Sequence, residues 1–239
     1  MKNVKDKYLR FVGLRLRDYK VFGGMNDFWF NRHQTVIVGK GGTGKTVITE
    51  ALEHLGPPAR TGRALTLNGR AASYIAVITD GNCELIDQYR SLIFLSGESA
   101  DSLAMYSQSP VFEYVAANGS RKAIASKVRT NFGKILRHKP WKIDLHRDLS
   151  PGIMAGGERL CFGYAFAFAV REALKLDVPV VLDSPYARLD PGLREGLHDF
   201  LKTQPCQQIL LGHECEFTDK ELPKYILVYL EEYSRVMEF

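Results

Sequence analysis

Apolar and basic residues alternate along residues 8–17 (YLRFVGLRLR), the two-residue period of a strand with one face in a core. Residues 26–31 (NDFWFN) predict a second strand. Residues 35–38 (TVIV), β-branched and apolar, predict a third that is buried. Residues 63–68, 73–79 and 91–95 read as further strands, separated by turn residues such as Asp80-Gly81-Asn82. The pattern then changes. Residues 97–117 are mixed and read as helical, and Ile124, Val128, Ile135 and Leu136 recur at spacings that fit one helix face. Residues 160–176 contain no proline and a single glycine, and predict a long helix with Phe162, Tyr164, Phe166 and Phe168 in a core. Residues 178–183 form a buried strand ending in a carboxylate. Asp190-Pro191 supplies an N-cap acceptor and a proline at the first helical position, and that helix should end near Gln204-Pro205. Residues 207–211 predict a strand with His213 just past its tip, and residues 224–231 and 234–239 a closing strand pair. Strands and helices interleave throughout, so the fold class is α/β: a mixed sheet with a smaller antiparallel sheet from the early strands packed against it.

Between the third strand and the helical residues 47–52 lies Gly39-Lys40-Gly41-Gly42-Thr43-Gly44-Lys45-Thr46, which fits the phosphate loop G-x-x-x-x-G-K-[ST]. Glycines let the backbone wrap closely around an anion with successive N–H groups turned inward. The helix that follows presents its positive end to the same anion. Lys45 has the reach for β- and γ-phosphates, and Thr46 places a hydroxyl where Mg²⁺ sits between them. A strand-end carboxylate beside such a loop, here Asp183, is where that Mg²⁺ is held, through water. The nucleotide-binding set is therefore Gly39, Lys40, Gly41, Gly42, Thr43, Gly44, Lys45, Thr46 and Val47, with Thr46 and Asp183 on the metal; ATP and Mg²⁺ are the expected ligands.

Composition narrows the setting. The 239 residues are 45% hydrophobic and 25% charged, enough for one sizeable core. No run is apolar enough for a membrane helix, and the charged first residues lack the apolar stretch of a signal peptide, so a cytoplasmic protein is expected. The four cysteines show no C-x-x-C spacing, which argues for free thiols over a zinc site. A net charge of +5 permits a nucleic-acid partner without requiring one. Much of that charge lies in residues 118–147, where Arg121, Lys122, Lys127, Arg129, Lys134, Arg137, Lys139, Lys142 and Arg147 stand against Asp144. The segment reads either as a solvated helix face or as a surface for DNA phosphates formed by Arg121, Lys122, Lys127, Arg129, Lys134 and Arg137.

Four elements stand in a fixed order: the loop at residues 39–46, Met154-Ala155-Gly156-Gly157-Glu158-Arg159 before a helix, Val180-Val181-Leu182-Asp183 with Leu189-Asp190 beyond, and His213 after a strand. In this the chain resembles the ATP-binding cassette heads of the SMC and recombination-repair family, including the DndD-like ATPases of DNA modification and defence. The resemblance covers nearly the whole chain. It implies that residues 39–46 are the Walker A loop, Asp183 the Walker B aspartate, Ala155 to Glu158 the signature, Leu189-Asp190 the D-loop and His213 the switch histidine. Lys45, Asp183, Ser184 and His213 then stand in the catalytic positions. It also implies one head over residues 1–239, with an N-lobe to about residue 97, a short basic helical insert at about 98–149 where relatives project a coiled-coil arm, and a C-lobe from about 150.

In such heads ATP closes a homodimer or heterodimer head to tail, the signature of one subunit capping the γ-phosphate held by the other. The implied role is an ATPase acting on DNA, or gating a nuclease or other repair or defence subunit, with no membrane partner. Three departures bear on turnover. Ser184 follows Asp183 where the family usually has the glutamate that polarises water, and a serine hydroxyl is a poor base. Ala155 stands at the usual signature serine. The Q-loop glutamine has no clear counterpart, since Gln88 is early and the family position lies nearer Ser96-Gly97-Glu98. A nucleotide sensor with little turnover is thus the second reading, and a transporter nucleotide-binding subunit a weaker third, because the signature ends in Glu158.

Overall fold

The computed structural model describes residues 7–53, 63–65, 73–96, 121–137, 154–217, 223–230 and 233–238. The chain forms two compact units, one of Met1–Phe94, Asp177–Ala187 and Cys206–Phe239, the other of Leu95–Leu176 and Arg188–Pro205.

The first unit is built on a mixed sheet. The strands of the sheet are β1 (Leu9–Tyr19), β2 (Phe22–Trp29), β3 (Gln34–Gly39), β4 (Arg63–Leu65), β5 (Ser73–Gly81), β6 (Phe94–Ser96), β7 (Val180–Asp183), β8 (Gln208–Gly212), β9 (Tyr225–Leu230) and β10 (Tyr233–Glu238); Leu95 and Ser96 of β6 are counted with the second unit. They lie in the order β4-β5-β1-β2-β10-β9-β3-β8-β7-β6. The strands β4, β5, β1 and β2 pair antiparallel in turn, as β9 does with β10, whereas β2 meets β10 in parallel and β9, β3, β8 and β7 pair parallel. The parallel strands are apolar along their length, as a strand covered on both faces must be: Val36, Ile37 and Val38 on β3, Val180 to Leu182 on β7 and Ile209 to Leu211 on β8 are all buried. The helix α1 (Lys45–Glu53) turns Ile48, Ala51 and Leu52 inward.

Among the described residues the expected second, separate antiparallel sheet is not formed. The early strands continue the main sheet through β2 and β10, joined in parallel register at Ser234 opposite Phe22. A side chain completes this narrow junction. Asn26, 1% exposed, accepts from Val236 N–H at 3.0 Å and donates to Gly23 O at 3.1 Å, so its amide stands in for a missing ladder bond. Gly23 is required there, because a Cβ would lie 2.4 Å from the Tyr233 ring. Gln207 does similar work at the β1 bulge. It accepts from Phe11 N–H at 2.9 Å and donates to Phe11 O at 2.8 Å and Asn31 O at 2.9 Å. That bulge, between Phe11 and Gly13, shifts the phase of the alternation, so Phe11 and Leu14 both reach the core.

Element boundaries also differ from expectation. β2 begins at Phe22, four residues before Asn26, and β5 runs through Asp80 to Gly81, which pairs with Leu9 in place of forming a turn. Residues 91–93 are not strand. They belong to α3 (Arg90–Ile93), directly after α2 (Glu84–Gln88), and only Phe94–Ser96 is extended. A four-residue apolar run carries no periodicity of its own. Here the N–H groups of Leu92 and Ile93 both bond Tyr89 O, closing helical turns that bury the two side chains. The helix expected within residues 97–117 lies outside the described residues.

The second unit packs α4 (Arg121–Leu136), α5 (Gly156–Ala173) and α6 (Pro191–Lys202). α4 buries Ile124, Val128, Phe132, Ile135 and Leu136 along one face, as their spacing predicts. α5 is buried on all sides from Leu160 to Arg171, which explains its apolar residues at every helical phase. Edge-to-face aromatic pairs lock the three helices: Phe132 with Phe162 at 5.5 Å, and Phe168 with Phe200 at 5.4 Å. Asn131, buried on α4, donates to Ala165 O at 3.3 Å. α4 and α6 approach backbone to backbone at Gly196, where a Cβ would sit 1.9 Å from Ile135 O. Gly196→Ala should therefore destabilise the protein by about 1–3 kcal/mol through overpacking, despite alanine's better helix propensity. Denaturant unfolding of the variant against wild type measures this, and an unchanged midpoint would contradict so close a crossing.

Candidate functional site

Parallel register brings the candidate residues to the C-terminal ends of adjacent strands. Val38 pairs with Gly212 on β8 and Gly39 with Leu227 on β9, while Asp183 pairs with Leu211 on the far side of β8. The loops leaving β3, β7 and β8 thus emerge side by side, and all three belong to the first unit.

Residues 40–44 connect β3 to α1 as a tight loop. Thr43 closes it, donating its hydroxyl to Lys40 O at 2.8 Å. Gly42 and Gly44 have φ of +79° and +101°, a region that L side chains rarely adopt. Gly44 also has no room, since a Cβ would lie 2.7 Å from Val21. Around Gly41 and Gly42 a Cβ would meet nothing within 4 Å, so the outer wall of the loop is open to a ligand. Lys45 is 8% exposed and donates to Gly39 O at 2.8 Å and Lys40 O at 2.9 Å. Burial lowers its pKa, opposed by the charges of Asp183 and Glu216. Val47 is half-buried two residues into α1.

Thr46 donates its hydroxyl to Asp183 Oδ2 at 3.1 Å. Burial raises the Asp183 pKa, against the opposing pull of the Thr46 bond, Lys45, the Ser184 hydroxyl and His213. Ser184 holds φ of +51°, unusual for a non-glycine residue. Its N–H bonds Leu211 O at 2.7 Å and its hydroxyl lies 3.5 Å from Asp183 Oδ1. His213, half-buried, follows β8. Lys45, Thr46, Asp183, Ser184 and His213 are therefore gathered at one site. Sequence reasoning missed Glu216. It is 3% exposed in a 3-10 turn (Glu214–Glu216) and accepts from His213 N–H at 2.9 Å. The signal available was the capping spacing of His213 and Glu216, three residues apart.

The residues present fit a phosphate chain and a hard cation. An ammonium and an open glycine loop at a helix N-terminus suit the anion. Thr46 and Asp183 offer two adjacent oxygens, and Mg²⁺ takes few protein ligands when phosphate and water supply the rest. Among the described residues no cluster of three or more His, Cys, Asp or Glu forms a self-sufficient metal site.

The residues expected to form the signature, Ala155 to Glu158, lie in the second unit. Ala155 is extended and precedes α5, and Glu158 reaches back to accept from Ala155 N–H at 3.2 Å. Gly156 is exposed with open space around its Cα, whereas a Cβ on Gly157 would press Leu193 at 3.1 Å and Arg188 O at 3.3 Å. Asp190 caps α6, accepting from Leu193 N–H at 2.9 Å. Burial, with Asp190 and Glu158 nearby, pushes the Cys161 thiol up to about 12, so it is inert. The described cysteines, Cys83, Cys161, Cys206 and Cys215, are all free. Gln88 is exposed at the end of α2 and Ser96 ends β6; Gly97 and Glu98 lie outside the described residues.

Of the basic candidates, Lys127 pairs with Glu172 at 2.7 Å and Arg137 with Asp199. Arg129 and Lys134 are exposed on α4. Arg121 and Lys122 begin that helix, and their side chains lie outside the described set, as do Lys139, Lys142 and Arg147 entirely.

Asp183 gives a pH prediction. Burial disfavours its charged form, so in the folded state it keeps its proton to higher pH than in the unfolded chain. Between those two values the folded state binds more protons, and this group's contribution to stability falls as pH rises through them. Asp183→Asn should then melt higher than wild type at pH 7 in magnesium-free buffer. The gap should close as pH drops to the ordinary carboxylate range. A variant that melts lower at pH 7 would refute the assignment.

No protein-family model matches the sequence, and no curated protein is similar enough to be matched with it. Solved structures do match in fold. The SMC head domain from Thermotoga maritima superposes with a TM-score of 0.61 at 17% identity, covering 96% of this chain and 99% of that one. An SMC head bound to the C-winged helix domain of ScpA gives 0.67 at 17% identity, covering 96% and 98%. An SMC head with an extended coiled coil, bound to the C-terminal domain of ScpA derived from Pyrococcus furiosus, gives 0.60 at 13%, covering 97% and 96%. The chain therefore has the fold of an SMC head domain. Among its described residues no helix is long and apolar enough to cross a membrane.

Proposed function

We propose that this SMC-head fold binds ATP with Mg²⁺, hydrolyses it slowly, and uses the bound state to close two subunits on DNA or on a DNA-processing partner. The observation that carries the reading is the Thr46–Asp183 oxygen pair beside the buried Lys45 ammonium, at the mouth of an open glycine loop. Nucleotide would draw Lys45 from the carbonyls of Gly39 and Lys40 to the β- and γ-phosphates, exchanging two neutral acceptors for anionic ones. Mg²⁺, when bound, neutralises charge on those phosphates. Thr46 and Asp183 would hold it, and the N–H groups at the start of α1 would face the phosphates. In the closed state the N-terminus of α5, with Gly156 and Gly157 before Glu158, caps the γ-phosphate of the other subunit; Ala155 brings no hydroxyl to it.

DNA modification, repair or defence is the setting that the D-S-P run at residues 183–185 and the basic helix α4 favour. A protein partner is a further expectation, since two heads of this fold were solved with a bound ScpA domain. Ser184 at the position of the polarising glutamate supports the second reading, a nucleotide sensor with little turnover. The two readings share every binding residue and differ in rate.

Lys45→Ala should weaken ATP binding by about 10- to 100-fold, the loss of a hydrogen bond to a charged group, and should abolish an ATP-dependent dimer seen by analytical ultracentrifugation. Retention of wild-type affinity would sink the site. DNA binding, read by fluorescence anisotropy across a salt series, should strengthen with ATP and Mg²⁺. Its salt slope should be shallower than the roughly −5 that six phosphate contacts would give, because Lys127 and Arg137 are already held by carboxylates. Absence of binding at low salt in both states would leave a switch whose partner is a protein.

A further inference from the structure

Glu216 is a buried carboxylate with half its hydrogen-bonding capacity unused. Oε1 accepts from His213 N–H, and Glu216 N–H returns a bond to His213 O at 2.9 Å, so one oxygen is committed to the turn. Oε2 is buried and receives no hydrogen bond from the described residues. A carboxylate oxygen out of water and without a donor is costly, and a position that carries one normally serves a ligand or a water.

Its location says which. A Cβ built on Gly212 would lie 3.1 Å from both the carboxyl carbon and Oε2 of Glu216, so the carboxylate lies against the last residue of β8. Gly212 is opposite Val38, one residue before Gly39, whose carbonyl holds the Lys45 ammonium. On the other side Leu211 is opposite Asp183. The carboxylate thus stands between the phosphate loop and the Asp183–Ser184 turn, and its charge is felt at Lys45. Ser184, which replaces the expected glutamate, points its hydroxyl at Asp183 and has no basic group to offer.

We propose that Glu216 supplies the carboxylate that Ser184 lacks, its free oxygen orienting the water that attacks the γ-phosphate. The step, granted the ATPase reading above on which it rests, is balanced by this group alone. The water oxygen bonds to the γ-phosphorus as the bond to the bridging oxygen breaks. ADP leaves with the electron pair, and the water proton passes to Glu216 and on to the released phosphate. A carboxylate next to a γ-phosphate repels it unless a hydrogen-bonded water separates the two, which is the arrangement hydrolysis needs.

The test is Glu216→Gln, which keeps an oxygen for His213 N–H and so preserves the turn. Binding is measured with two phosphate mimics, ADP–beryllium fluoride for the bound ATP and ADP–aluminium fluoride for the transition state with its in-line water. The variant should bind the beryllium complex as wild type does, bind the aluminium complex at least tenfold more weakly, and lose about 10²-fold or more in kcat with KM little changed. Equal weakening of both complexes, or tighter binding of both, would reduce Glu216 to a counter-charge for Lys45 and overturn the proposal. An unchanged kcat would overturn it too, as would a wild-type protein that binds ATP but does not hydrolyse it. Those outcomes leave nucleotide binding intact, whereas a wild-type protein that binds no nucleotide refutes the function proposed above. Thermal melting of the variant, expected to match wild type, separates loss of chemistry from loss of fold.

Discussion

Everything at the site depends on the parallel registration of β3, β8 and β7. Three buried apolar strands, held by evenly spaced ladder bonds, end within a residue or two of one another. A two-residue slip of β7 against β8 would keep the same faces buried yet carry Asp183 some 6–7 Å from Thr46, at about 3.3 Å per residue. The bond from Ser184 N–H to Leu211 O extends the ladder one residue past the strand and fixes the turn that follows the Asp183 carboxylate. The positive φ at Ser184 shows that the backbone is held there by its surroundings.

Charge is handled economically at these strand ends. Lys45 is buried with two carbonyl partners, and two carboxylates, Asp183 and Glu216, act on it from either side of β8. Burial lowers the Lys45 pKa, and the two carboxylates oppose that shift. The same burial raises the Asp183 pKa until Thr46, Lys45 and His213 pull it back. A cation and a polyanion arriving together would relieve both tensions at once, which is why the site suits a metal–nucleotide complex better than a bare phosphate.

The parts of this arrangement that were legible in the sequence are those with a short-range signature. The loop from Gly39 to Thr46, the carboxylate closing an apolar run at Asp183, and the Asp190-Pro191 helix start each declare themselves within a few residues. The single sheet did not, because its continuity rests on Asn26 and Gln207, amides whose partners lie 210 and 196 residues away. Residues 91–93 were misread as strand since a short apolar run has no period to betray its helical turn. Glu216 went unnoticed among three acidic or polar neighbours; only the fold brings it under the end of β8. The basic run was visible, but its neutralising partners Glu172 and Asp199 belong to α5 and α6, far along the chain.

The position of β3 has a consequence for how the molecule comes into being. Its two neighbours, β8 and β9, are synthesised more than 160 residues after it. Until they emerge from the ribosome, the apolar run Val36-Ile37-Val38 has both edges open, and the nascent chain carries a hydrophobic strand it cannot yet pair. The glycine loop cannot take its shape before then, because Gly39 is seated against Leu227. An apolar strand with both edges open is the kind of surface that chaperones cover and from which aggregation starts.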